Sequence, residues 1–153
     1  MQKEYLLIDM LGQYVALEVK WIQRLVRAVE VTKIFKASPL LYGVIDMHGE
    51  LLPVFDLHQL LGLESREIAL NDVMVVVQCK TMRVVLLCEG VEGVFLCEES
   101  RELEEEASFF PLQNTTLIHF RDSLVPVLNF QTIFENRLEE LDVSTLKEAF
   151  IDE

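Results

Sequence analysis

Glycine and proline are scarce in this chain, with six and four in 153 residues. So few glycines leave little room for a phosphate-cradling loop, and neither a G-x-S-x-G elbow nor an H-E-x-x-H helix occurs. Cysteine is equally sparse. Cys79, Cys88 and Cys97 are odd in number, lie in apolar surroundings and show no C-x-x-C spacing. They read as small core residues of a protein in a reducing cytoplasm, not as a disulfide frame or a metal site. Basic charge is short as well: 13 Lys plus Arg stand against 26 Asp plus Glu, a net charge of -13. That balance opposes phosphate binding, so nucleic acid and anionic membrane surfaces are not expected partners. No segment reaches the roughly 18 consecutive apolar residues of a membrane helix. The first residues carry no basic stretch followed by an apolar h-region. A cytoplasmic protein without direct membrane insertion is expected.

Hydrophobic residues, 51% of the chain, come in short runs divided by polar or small breaks. The runs are Tyr5 to Leu11, Tyr14 to Val19, Leu25 to Val31, Val44 to Met47, Leu51 to Leu57, Val73 to Val77, Val84 to Cys88, Val91 to Leu96, Leu117 to Phe120 and Leu124 to Phe130. About ten short strands follow, so the fold class is all-β. Several runs lack strict alternation, the pattern of strands packed on both faces in a small barrel or sandwich. Gly12-Gln13, Asn71-Asp72 and Lys80-Thr81 read as turns.

One stretch occurs twice. Val44-Ile45-Asp46-Met47-His48-Gly49-Glu50-Leu51-Leu52-Pro53-Val54-Phe55-Asp56-Leu57 returns 73 residues later as Leu117-Ile118-His119-Phe120-Arg121-Asp122-Ser123-Leu124-Val125-Pro126-Val127-Leu128-Asn129-Phe130. In each copy a polar tip, His48-Gly49-Glu50 or Arg121-Asp122-Ser123, interrupts two apolar runs, which is a hairpin pattern. Gly49 is expected at positive φ, with Asp122 in its place in the second copy. Pro53 and Pro126 are expected at an edge or a bulge, because neither can donate a ladder bond.

The echo extends upstream. Val15 to Glu18 followed by Ile22 to Leu25 resembles Val84 to Leu87 followed by Val91 to Val94. A single domain over about 1–136, made of two similar subdomains near 1–66 and 67–136, is the economical reading, with exchange of strands between them left open. His58 to Leu63 reads as a short helical turn closed by Gly62, and Gln131 to Leu141 as its longer counterpart. Residues 137–153 form an acidic tail. Thr145-Leu146-Lys147-Glu148 has capping-box spacing, and Leu138, Leu141 and Leu146 suggest an amphipathic helix that docks on the body.

Chemistry-bearing residues are few. Asp46-x-His48 and Asp56-x-His58 each place two potential ligands on one strand face, but the hairpin register keeps the two pairs apart. No metal, no cofactor and no catalytic set are expected. The acidic run from Glu98 to Glu106 reads as a solvated face, with docking of a basic partner as the alternative. Apolar surface beyond what two small subdomains bury points to protein–protein binding.

Tyr42 to Leu57 resembles the "rGVINLRGxVVPVIDL" hairpin of CheW-like domains, and the similarity extends over nearly the whole chain. Ile22-Gln23-Arg24-Leu25, Val31 to Ile34, the Ala37-Ser38-Pro39 approach to Gly43, Val84 to Cys88, Val91 to Val94 and Leu117 to Phe130 resemble the family's other segments in order. The resemblance implies two SH3-like five-stranded β-barrel subdomains side by side, with short helices and a C-terminal helix. It also implies a non-enzymatic adaptor that couples the cytoplasmic tips of methyl-accepting chemoreceptors to a CheA-type histidine kinase. By position, the receptor groove comprises Ile22, Arg24, Gly43, Asp46, His48, Val91 and Val94; no kinase-binding residue is assigned. This chain departs from the family at two of these. Arg24 stands where Glu is usual, and His48 stands where the tip carries Arg. Asp46 is expected to become the partner of Arg24. The alternative is an adaptor of a non-chemotaxis sensory cluster, for pili or surface motility, with altered receptor contact. A small-ligand or metal-binding β-barrel domain is the reading from another class.

Overall fold

Ten strands appear in a computed structural model that describes residues 2–33, 41–64, 67–69, 71–79, 82–100 and 116–129. Strands β1 (Gln2–Met10), β2 (Gln13–Glu18), β3 (Ile22–Arg27), β4 (Leu41–Met47) and β5 (Glu50–Asp56) precede a single helical turn, α1 (Leu57–Leu60). Then follow β6 (Val73–Cys79), β7 (Met82–Cys88), β8 (Gly90–Ser100), β9 (Leu117–Phe120) and β10 (Ser123–Pro126). A 3-10 turn, Val19–Trp21, joins β2 to β3. The Ala37 to Pro39 approach, the Lys80-Thr81 tip, most of the acidic run and everything from Phe130 onward lie outside the described residues.

The strands form two five-stranded sheets, in the orders β10-β9-β8-β1-β2 and β3-β6-β7-β5-β4. Each sheet draws on both halves of the chain. The hairpin β1–β2 joins β8 to β10, and the hairpin β6–β7 joins β3 to β5, so the boundary expected near residue 66 divides the repeat but not the sheets. Both sheets curl without closing into the barrels expected from sequence. In the first, the outer strands meet at one bridge, Ala16 to Val127, with Leu128 N–H donating to the Ala16 carbonyl at 2.7 Å. In the second, Thr32 bridges Val44 through two bonds of 2.9 Å.

Relating β1 to β6, β2 to β7, and so on to β5 and β10, converts one sheet into the other with the same cyclic neighbours. Only the opening differs. The first sheet is open between β2 and β10. The equivalent strands of the second, β7 and β5, are zipped by a parallel ladder over Val54 to Asp56. Pro53 sits one residue before that ladder, inside the sheet, so the missing donor is tolerated without an edge. Pro126 ends an outer strand, as expected.

The runs that lacked alternation are explained by three cores. Tyr5, Leu7, Ala16, Cys97, Ile118, Phe120 and Val125 fill the first sheet's concave side. Ile45, Leu52, Val54, Met74, Val76, Val85 and Leu87 fill the second's. The intervening residues, among them Leu6, Ile8, Leu17, Phe55, Val75, Val77, Val84 and Leu86, pack between the sheets in a shared core. β1, β6 and β7 therefore bury both faces, and alternation selects which core a residue joins, not core against water. Burial raises the Cys97 thiol above its ordinary pKa.

The repeated hairpins have one register. Val44 faces Pro53, Ile45 faces Leu52, Asp46 faces Leu51 and Met47 faces Glu50. Leu117 with Pro126, Ile118 with Val125, His119 with Leu124 and Phe120 with Ser123 repeat it. Both tips are two-residue turns with positive φ at each position: 53° and 88° at His48 and Gly49, 45° and 62° at Arg121 and Asp122.

Candidate functional site

Three of the residues expected to form a groove, Ile22, Val91 and Val94, each face a shared-core residue across a strand ladder. Val94 faces Leu6 across the β1–β8 ladder, and Val91 faces Ile8. A spacing of three would normally put two strand residues on opposite faces. Here the register shifts between Leu7 and Ile8, and Gly93 adopts φ 146°, so both valines point to the shared-core side. Val91 packs against the shared core, while Val94 is 52% exposed and its neighbour Leu96 is 63% exposed. Ile22, from the other sheet, packs against the same core. Apolar side chains from both sheets thus meet at the shared core, the junction between the sheets, with the exposed Glu4 and Glu98 flanking Leu96 on β1 and β8.

The other four lie on the second sheet. A register shift between Ile22 and Arg24 sends the exposed Arg24 to the opposite side of β3, facing Val76, whereas Ile22 faces Val77. Gly43 is buried beneath the chain that follows β3. A Cβ there would lie 2.4 Å from Val31 Cγ1 and 2.6 Å from the Thr32 carbonyl oxygen, so only glycine admits the Thr32–Val44 bridge. The expected Arg24–Asp46 pair does not form among the described residues. Asp46 Oδ1 instead accepts the Gly49 N–H at 2.8 Å and ties the tip to its own strand. His48 is exposed on that tip.

The two Asp-x-His pairs also act locally. Buried Asp56 caps α1 by accepting the His58 N–H at 3.1 Å, and His58 Nε2 meets the Glu89 carboxylate. Among the described residues no cluster of three metal-ligating side chains forms.

Several polar contacts have no signal in the sequence. Arg83 on β7 joins Glu50 on β5 and reaches Gln23 on β3 at 3.4 Å, and Gln23 bonds Gln78 on β6 at 2.9 Å. This row crosses four strands beside the first hairpin's tip. At the second tip, Arg121 bonds Glu92 at 3.1 Å and lies 4.7 Å from the Phe120 ring centroid. Such pairs join residues 29 to 60 positions apart and follow only from strand order.

Two five-stranded sheets thus share one core, with a half-exposed apolar junction between them. The chain belongs to the CheW-like domain family, whose model matches residues 4–134, and so to a family of chemotaxis scaffold proteins. It is 25% identical over 133 residues to the chemotaxis protein CheW of Thermotoga maritima, covering 86% of this chain and 87% of that protein. The crystal structure of the scaffolding protein TtCheW from Thermoanaerobacter tengcongensis superposes with a TM-score of 0.75, covering 92% of this chain and 98% of that one at 17% identity. No helix among the described residues is long and apolar enough to cross a membrane.

Proposed function

We propose that this protein is a non-enzymatic, cytoplasmic adaptor that couples the cytoplasmic tips of methyl-accepting chemoreceptors to a CheA-type histidine kinase. The observation that carries the reading is that Ile22 and Val91, from different sheets, pack on one shared core while Val94, on the same side of β8, stays half-exposed. Membership of a family of chemotaxis scaffold proteins supports partners of this kind. Half-exposed aliphatic residues rimmed by carboxylates fit a helix that offers an apolar stripe, the ordinary mode of helix-in-groove recognition. Arg24, Gly43, Asp46 and His48 complete the proposed contact from the second sheet, with Gly43 acting through the backbone path it permits.

A second reading concerns which receptors are served. Arg24 and His48 replace the residues usual in the family, and Arg24 lacks the Asp46 partner that would have neutralised it. An adaptor of a non-chemotaxis sensory cluster, with altered receptor contact, accommodates that change.

The test is co-sedimentation of the full chain with receptor-bearing membranes and a CheA-type kinase. Ternary assembly is expected. Val94→Glu, at an exposed position, should weaken receptor-dependent sedimentation at least tenfold while leaving the fold intact. Binding unchanged in that variant would overturn the groove assignment, and absence of any assembly with the native chain would overturn the adaptor reading.

A further inference from the structure

β3 is an outer strand of the second sheet and, alone among the ten strands described, contains no buried residue. Gln23, Arg24, Leu25 and Arg27 are all exposed. The other outer strands find a partner: Ala16 of β2 bridges Val127 just beyond β10, and Val44 of β4 bridges Thr32. Along Ile22 to Arg27, backbone bonds among the described residues run to β6 alone, so the outer edge presents free N–H and C=O groups.

The charge along this edge is opposite to that of the chain. Lys20, Arg24 and Arg27 fall between Glu18 and Glu30, in a stretch that holds no Asp or Glu, within a protein of net charge -13. Lys20 is met by Glu18 at 3.4 Å. Arg24 faces Val76 and Arg27 faces Val73 across the ladder, and β6 carries no charged residue. Neither guanidinium has a carboxylate partner among the described residues. The screening length at physiological salt is about 8 Å, so distant carboxylates do not cancel this local positive charge.

We propose that the outer edge of β3 receives an extended acidic segment of a partner protein, added as an antiparallel strand. Strand addition draws affinity from backbone bonds and selectivity from side chains that alternate between the two faces. Opposite Arg27, Val26, Leu25 and Arg24 in turn, the partner then reads acid, any residue, apolar, acid. Leu25, 42% exposed, offers the apolar contact. The two arginines lie on opposite faces of β3, about 10 Å apart along it, as the carboxylates of such a segment do. Edge charges of a single sign repel a basic strand and admit an acidic one. Arg24 is shared with the proposed receptor contact, but the acidic strand engages the edge of the second sheet and not the junction between sheets.

Titration of the full chain with capped synthetic peptides, combined with hydrogen exchange, tests the proposal. A Thr- and Val-rich peptide carrying Glu-Thr-Val-Glu should bind about tenfold more tightly than its Lys-Thr-Val-Lys counterpart. It should also slow exchange of β3 amides while leaving those of β7 unchanged. Arg24→Glu with Arg27→Glu, both at exposed positions, should reverse the preference, and Arg24→Lys with Arg27→Lys should retain it. Equal binding of the two peptides by the native chain would overturn the proposal, as would binding that leaves β3 exchange unaltered. So would a preference for the acidic peptide that emerges only once Glu102, Glu104, Glu105 and Glu106 are changed to Gln, because the occupant would then be the chain's own acidic run.

Discussion

The hairpins β4–β5 and β9–β10 share the four cross-strand pairs next to the turn and the same pair of positive-φ tip positions, yet their tips are held by different means. In the first, Gly49 takes one left-handed position at little cost and Asp46 secures it from within the same strand. In the second, no glycine is present, and Arg121 reaches across the sheet to Glu92 and over Phe120. Backbone pairing alone fixes the turn type, so side chains at a tip can diverge without altering the fold. His48 on the first tip faces outward, whereas Arg121 on the second is engaged with β8. Variation in what the protein binds is thus expected at the first tip, and variation in stability at the second.

The largest effect should come from the seams, where the same cyclic strand order is held together differently. Gly43→Ala forces a Cβ against Val31 and the Thr32 carbonyl, and should destabilise the second sheet by about 3 kcal/mol in urea unfolding. Removing the part-buried pair between α1 and the end of β7 comes next. His58→Ala leaves the Glu89 carboxylate, with 17% side-chain exposure, without this partner and should cost about 2 kcal/mol. The tips themselves should respond with opposite signs. Gly49→Ala places a Cβ at φ 88° and should cost about 1 kcal/mol, whereas Asp122→Gly relieves φ 62° and should add about 0.5 kcal/mol. Smallest of all, Arg121→Ala should lower stability by about 0.5 kcal/mol, and His48→Ala by less than that. If His48→Ala destabilised more than Arg121→Ala, the division between a free and a committed tip would be wrong.

Much of this arrangement was legible in the residues. The echo at 73 positions fixed both hairpins and their register, because period-two burial and a two-residue tip leave one solution. The absence of strict alternation marked strands with two buried faces. What could not be read was which hairpin joins which sheet. Local patterns specify β1 with β2 and β6 with β7, but their placement depends on contacts between residues as distant as Leu7 and Gly93. The candidate site suffered from the same limit. Regular alternation would put Ile22 and Arg24 together and Val91 and Val94 apart, and the two register shifts reverse both expectations. Gly43 was recognised as part of a motif, but the space it denies to a side chain is taken by the bridge between Thr32 and Val44, twelve positions apart, which no local pattern marks.

The reciprocal exchange of hairpins also imposes an order of events on folding. Strands β3 to β7 are consecutive and complete the second sheet within one continuous stretch of chain. The first sheet must wait, because β1 and β2 are made first while their partners begin only at Gly90. Closing so long an intervening loop carries an entropic cost that grows with its length, and non-local pairing slows folding more than it weakens the native state. Pulse-labelled refolding should therefore show amides of β6 and β7 protected before those of β1. On the ribosome, the apolar hairpin at the N-terminus spends the synthesis of some seventy further residues without its sheet, which makes it the segment most in need of a chaperone.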